Sequence, residues 1–451
     1  MPVPVIAIFD IGKTNKKLLL FDEQYTVVYE KTIRLAETTD ADGFPCEDVT
    51  QLRNYIFNAL QQAAQEPAYE IKAINIAAYG ASLVCVDAAG IPVLPLYNYL
   101  KPYPQSLQEK LYSHWGGADD FARTTASPQL GSLNSGLQLY RIKEENPEWF
   151  EQMKWALHLP QYISYLLTNE AYSDLTSIGC HTALWDFEKQ GYHAWVGGEG
   201  IAPKLAPIAS GNNVHLNKIG TLTCAIGIGL HDSSAALIPY RESLQNPFVL
   251  LSTGTWCISL NPFATTALTA TELAQDCLCY LDYKGASVKA ARLFLGPQYE
   301  AGLARLCKHF QIPMDAFLQV SFNAALLNKL KTKPTALLFA DEDLGLFEKA
   351  EEGYHQLMLT LLKQQVASTN LVLQPGTVKT IYVDGGFAKN EVFMYILAAH
   401  YTGYNVYAAS MPQGTALGAA LAIHHAWNKQ PVPVNLIQLK KYTPAMDLGI
   451  D

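Results

Sequence analysis

Apolar positions along this chain come in short blocks whose spacing switches between alternation and helical periodicity, the pattern of strands interleaved with helices. Val3-Pro4-Val5-Ile6-Ala7-Ile8-Phe9 predicts a buried strand, and Leu18-Leu19-Leu20-Phe21 predicts another. The polar turn Asp10-Ile11-Gly12-Lys13-Thr14-Asn15 between them makes the pair a hairpin. Residues 27–35 read as a third strand, and Leu52, Ile56, Phe57 and Leu60 recur at helical spacing within 49–64. Strand patterns return at 71–78 and 83–86, closed by a turn at Ala88-Ala89-Gly90. Residues 130–170 read as largely helical, and 209–217 as loop.

A second round begins after Pro239. Phe248-Val249-Leu250-Leu251-Ser252 and Cys257-Ile258-Ser259-Leu260 predict two strands around the turn Thr253-Gly254-Thr255-Trp256, repeating the N-terminal arrangement. A helix at 350–369, a strand at 380–383 and a helix at 390–401 follow. The two halves therefore read as two versions of one α/β plan with a cleft between them.

Length supports this division, because 451 residues exceed what one core ordinarily serves. A composition of 49% hydrophobic and 16% charged residues is that of a globular chain. The net charge of -9 gives no general attraction to nucleic acid or to an anionic membrane, so neither partner is expected. A local phosphate cradle can still work against the global sign. Eight cysteines form no regular framework, and the C-x-C at Cys277 and Cys279 lacks the second half that a zinc site needs. Reduced, mostly buried thiols in a cytoplasmic protein are the expectation. Neither a secretory leader nor an apolar run of about 18 residues is evident, so secretion and membrane spanning are not expected.

Four segments could carry chemistry. In the first turn, an acid at a strand end (Asp10) can hold Mg2+, Gly12 admits a close phosphate, and backbone amides with the Thr14 hydroxyl can donate to it. The plain alternative is a tight hairpin in which Asp and Asn serve the turn. Ser252-Thr253-Gly254-Thr255-Trp256 is a second small, hydroxyl-rich turn. Phosphates could be gripped from both sides of a closing cleft. Val383-Asp384-Gly385-Gly386-Phe387-Ala388-Lys389-Asn390 puts a glycine pair before a helix that Asn390 can cap. Such glycines let a flat base lie on the backbone, although they serve ordinary strand-to-helix turns equally. In Gly229-Leu230-His231-Asp232-Ser233-Ser234, Asp232 is either a general base for a hydroxyl or a helix N-cap. No P-loop sequence occurs, since Gly12-Lys13-Thr14 lacks the upstream glycine.

This ordered set resembles the FGGY carbohydrate kinases of the actin/hexokinase superfamily. The intervening Asn134-Ser135-Gly136-Leu137, Leu159-Pro160-Gln161-Tyr162 and Asp174-Leu175-Thr176-Ser177 share the likeness, which spans the chain. The resemblance implies two ribonuclease-H-like (actin-like ATPase) domains with an interdomain active-site cleft. These would be an N-terminal sugar-binding and catalytic domain at 1–238 and a C-terminal nucleotide-binding domain at 239–451. It implies ATP and Mg2+, with Asp10 as the metal-associated acid and Gly12, Thr14 and Asn15 as the first phosphate loop. Lys13 within that loop either touches a phosphate or stays solvated. Thr253, Gly254 and Thr255 become the second loop, Gly385, Gly386 and Asn390 the adenosine-facing motif, and Asp232 the base that activates the sugar hydroxyl.

Tyr79, Ser82 and Asn98 are the candidate sugar contacts, with core packing an equal account of the tyrosine. His231-Asp232-Ser233 with Ser-Thr-Gly-Thr-Trp is most similar to rhamnulokinases and fuculokinases. A 6-deoxyketose is therefore the first choice of substrate and a pentulose such as xylulose the second. A non-catalytic nucleotide-binding switch on the same fold is the competing class. The family includes dimers, so a homodimer is compatible with the resemblance.

Overall fold

The computed structural model describes residues 1–331, 338–374 and 376–444. Two seven-stranded sheets dominate the described residues. In the first, Val3–Ile11 pairs antiparallel with Lys16–Asp22, which pairs antiparallel with Val27–Ile33. The other edge of Val3–Ile11 pairs parallel with Tyr69–Ala78, and Leu222–Gly227 and Val214–Ile219 extend the sheet. The second sheet repeats the plan: Val249–Thr253 pairs antiparallel with Cys257–Asn261 and parallel with Thr380–Gly385. Ser287–Leu293 and Cys277–Leu281 continue one side; Asn405–Ser410 and Gln438–Tyr442 continue the other. This is the ribonuclease-H-like, actin-like ATPase architecture in both halves.

The continuous apolar runs follow from burial on both faces of the central strands. Val5, Ala7 and Phe9 pack in the core with the helix Val49–Gln65 and the helix Leu159–Thr168, through residues such as Ile56 and Ile163. Ile6 and Ile8 on the opposite face pack with Ala416, Ala419 and Ala420 of the helix Gly414–Ala422. That late helix thus covers the first sheet, and it approaches the helix Asp232–Ser243 closely. A Cβ on Gly418 would stand 1.8 Å from the Ala235 carbonyl oxygen, and Asn75 Nδ2 donates to the Ala419 carbonyl at 2.8 Å. The helix Asp232–Ser243 runs unbroken across residue 238, where the sequence reading sets its division.

Two local expectations shift. Part of the presumed loop at 209–217 is the strand Val214–Ile219, because the turn at Gly220, with φ of 60°, folds it back on Leu222–Gly227. The helical stretch at 130–170 is interrupted by the strand Trp155–His158, which pairs with Leu83–Val86. All eight cysteines are free thiols, and seven are buried. No helix among the described residues is long and apolar enough to cross a membrane.

Candidate active site

The candidate residues gather near the ends of the central strands Val3–Ile11 and Val249–Thr253. Asp10 is the penultimate residue of Val3–Ile11, and its half-buried carboxylate is raised from 3.8 to about 6. Burial is the main cause; Asp232 and Glu30 add to it, and Lys17 opposes it. Asp10 and Asp232 come from segments more than 200 positions apart and repel each other across the cleft. Relief of that repulsion is what a divalent cation supplies, and Mg2+ characteristically takes one or two carboxylates plus phosphate oxygens. Two carboxylates that repel each other are compatible with such an ion, and Asp10 is the residue that would hold it.

Asp232 is the first residue of its helix rather than the cap. The cap position is His231, whose side chain makes no capping bond. The Asp232 carboxylate accepts from its neighbour, from the Ser233 amide at 2.6 Å and the Ser233 hydroxyl at 3.2 Å, and its side chain stays one-third exposed. The helix N-terminus favours negative charge there. Burial alone would pull the His231 imidazole down. The Cys180 sulfur and then Asp232, 3.4 Å from Nε2, hold it up at about 9. His231 also presses on the loop after Tyr69–Ala78, the candidate acceptor loop, where a Cβ on Gly80 would lie 2.6 Å from its Nε2. The next residue, Ala81, holds a φ of 57°, left-handed backbone that an alanine adopts only under constraint.

On the far side, Thr253 stands opposite Gly385 in the parallel pair. Its hydroxyl donates to the Asp384 carbonyl and accepts from the Phe387 amide at 3.0 Å, while its carbonyl accepts from Gly386 N at 2.9 Å. Gly385 has φ of 87°, and a Cβ there would stand 1.8 Å from the Thr253 carbonyl oxygen. Only glycine meets both demands. Asn390 caps the helix Glu391–His400 by accepting from Phe393 N at 3.1 Å, as its sequence position predicts. Its amide also donates to Tyr354 Oη at 2.8 Å.

Gly254, Thr255, Gly386 and Asn390 line one cavity of about 560 Å³, with Tyr299, Phe387 and Tyr354 supplying aromatic walls. That volume suits a nucleoside. A smaller cavity of about 180 Å³ is lined by Asp232 and Ser233, by Thr415 of the helix Gly414–Ala422, and by Ser252 and Asp384 of the second sheet. Asp384 is braced by Tyr240, whose hydroxyl donates to it at 2.8 Å.

The remaining sequence candidates sit in the first half. Gly12 N donates to the Asn15 carbonyl at 2.9 Å, closing the first turn, while Thr14 is exposed. Asn15 Oδ1 accepts from Arg34 Nε at 3.1 Å. Lys13 pairs with Glu37 at 2.8 Å and lies 5.9 Å over the Tyr79 ring. Tyr79 is buried and donates to Glu47; burial and that carboxylate push its phenol well up, so it stays a donor. Ser82 is buried. Asn98 is engaged at both ends, donating to the Pro45 carbonyl and accepting from Leu100 N, each at 3.0 Å. Sequence reasoning missed Lys16, Lys17 and Glu47 here. Alternation was the available signal for Lys16, since 16, 18 and 20 share a strand face and Leu18 and Leu20 are core.

Comparison with known proteins agrees with this geometry. Residues 5–197 match the N-terminal domain of the FGGY family of carbohydrate kinases, and residues 245–431 match the FGGY carbohydrate kinase C-terminal domain. A rhamnulokinase of Mannheimia succiniciproducens is 25% identical over 290 residues, 61% of this chain and 57% of that protein. One from Klebsiella pneumoniae is 28% identical over 246 residues, 50% of this chain and 47% of that protein. The chain thus spans about half the length of the curated relatives it matches. A carbohydrate kinase structure from Novosphingobium aromaticivorans superposes with a TM-score of 0.82 at 24% identity, covering 99% of this chain and 96% of that one. A ligand-bound xylulose kinase from Lactobacillus acidophilus gives 0.78 at 16%, covering 98% and 94%. With both family domains matched in order around a shared cleft, the chain belongs to the FGGY family of carbohydrate kinases.

Proposed function

We propose that the protein transfers the γ-phosphoryl group of ATP to a hydroxyl of a ketose, a 6-deoxyketose such as L-rhamnulose or L-fuculose. The observation that carries the reading is the Asp232 carboxylate, one-third exposed at a helix start, beside the His231 that packs on Gly80 and lining a small cavity with Ser252. A hydroxyl bound there loses its proton to Asp232 as its oxygen attacks the γ-phosphorus in line and the bond to the ADP oxygen breaks. The turns at 12–15 and 253–255 hold the phosphates from the two halves, while Gly385, Gly386 and Asn390 border the adenosine cavity. Mg2+ held at Asp10 supplies charge neutralisation for the phosphates when bound. Closing the halves excludes water and limits ATP hydrolysis.

The choice of sugar rests on the rhamnulokinases among the relatives and on His231-Asp232-Ser233. A two-domain chain divided near 238, working in the cytoplasm on a small sugar, belongs to the same proposal. The test is ADP release from Mg-ATP against L-rhamnulose, L-fuculose, D- and L-xylulose, L-ribulose, D-fructose and glycerol. Stimulation by a 6-deoxyketose above the others is expected. Stimulation by xylulose alone moves the assignment to a pentulose, and ATP binding without stimulation by any acceptor refutes the reading.

A further inference from the structure

A buried charge network lies directly beneath the first phosphate turn. Lys16 opens the strand Lys16–Asp22 and is 1% exposed. Its ammonium donates to the Gly12 carbonyl at 3.1 Å and the Lys13 carbonyl at 3.0 Å, and pairs with the Glu47 carboxylate. Three acceptors satisfy the three N–H donors of an ammonium. Glu47, 5% exposed, spends its other oxygen on the Tyr79 hydroxyl, and Tyr79 N donates to the Ile11 carbonyl at 3.0 Å. Tyr79 in turn precedes Gly80 and Ala81 of the acceptor loop. Burying an ion pair costs free energy that a hydrophobic pair would avoid, so stability alone is a weak reason for it.

Peptide geometry supplies a better one. In a trans peptide the C=O and the following N–H point in opposite directions. Drawing the Gly12 and Lys13 carbonyls inward onto Lys16 therefore turns the amides of Lys13 and Thr14 outward. Neither amide has an acceptor among the described residues. Two adjacent outward amides make the kind of concavity that binds an anion. We propose that Lys16 is a positioning residue that aims these two amides at the nucleotide phosphates, and that Glu47 couples this arrangement to the acceptor loop through Tyr79. The inference rests on the kinase reading above and adds residues that act through the backbone rather than by touching substrate.

Isothermal titration of Mg-ATP into the full chain, with steady-state kinetics on the acceptor that stimulates turnover, tests it. Lys16→Met should raise Kd for Mg-ATP by about tenfold, the equivalent of about 1.4 kcal/mol, near the upper range for one hydrogen bond. Glu47→Gln should raise both that Kd and the KM for the acceptor, and Tyr79→Phe should raise the acceptor KM alone. A purely structural role would lower each unfolding temperature and leave Kd, measured well below it, at the wild-type value; that result overturns the proposal. Should Lys16→Met fail to fold, Glu47→Gln decides, and unchanged nucleotide affinity there overturns the coupling. Wild-type protein that binds no Mg-ATP would overturn the kinase reading, and this inference with it.

Discussion

Asp10→Asn offers a separation of stability from function. In the folded chain the Asp10 carboxyl ionises at about 6 instead of 3.8, because it is buried and faces Asp232 and Glu30 with Lys17 as a partial offset. Between those two pH values the folded state keeps a proton that the unfolded state has lost. Stability therefore falls as pH rises through this window, and the loss persists above it. At about 1.4 kcal/mol per tenfold change in the proton equilibrium, the rise corresponds to at most about 3 kcal/mol. Asparagine has nearly the same shape and no charge. The variant should match wild type near pH 4 and unfold several degrees higher at pH 8, a few degrees per kcal/mol being usual for domains of this size. Thermal unfolding from pH 4 to 8 in chelator measures this, while sugar-dependent ADP release against Mg2+ concentration follows activity in parallel. The expected result is a more stable, inactive protein. An Asn variant less stable at pH 8, or with a stability difference independent of pH, refutes the electrostatic argument. Wild-type activity with unchanged Mg2+ dependence refutes the metal assignment.

Asp232→Asn should lower kcat by about 10²- to 10⁴-fold, the usual weight of a general base, with Mg-ATP affinity retained in equilibrium titration. Full turnover in this variant would remove the base. Gly385→Ala forces a Cβ 1.8 Å from the Thr253 carbonyl oxygen onto left-handed backbone. The backbone conformation alone costs about 1–2 kcal/mol, so the variant should unfold at lower denaturant and bind nucleotide more weakly. Gly80→Ala meets the buried His231 ring at 2.6 Å and should raise the acceptor KM while leaving nucleotide titration unchanged. An unaltered acceptor KM would detach the loop after Tyr69–Ala78 from the acceptor site.

Much of this protein was legible because its signals are local. The runs at 3–9 and 248–252 announce strands buried on both faces, and the glycine-bearing turns at 10–15 and 253–255 follow from the chemistry of the turn itself. Asn390 is a cap because its side chain reaches an amide three residues on. Asp232 was ambiguous for the same local reason, since an acid before a helical run suits a cap as well as a base. The folded chain removes the cap reading, because Asp232 is the first helical residue and His231 holds the cap position.

What the sequence could not convey is the company that distant residues keep. Lys16 meets Glu47 because a short hairpin, Glu37–Thr39 with Pro45–Glu47, returns the chain over the first turn. Gly80 meets His231 across about 150 positions, and the helix Gly414–Ala422 crosses back to cover the first sheet. Asn98 reads as polar and available, yet its amide is used in holding the hairpin at Pro45. Periodicity and turn chemistry record which face of an element is buried and where it stops. Which elements close over one another depends on the summed packing of the whole core, and there the tertiary structure alone decided.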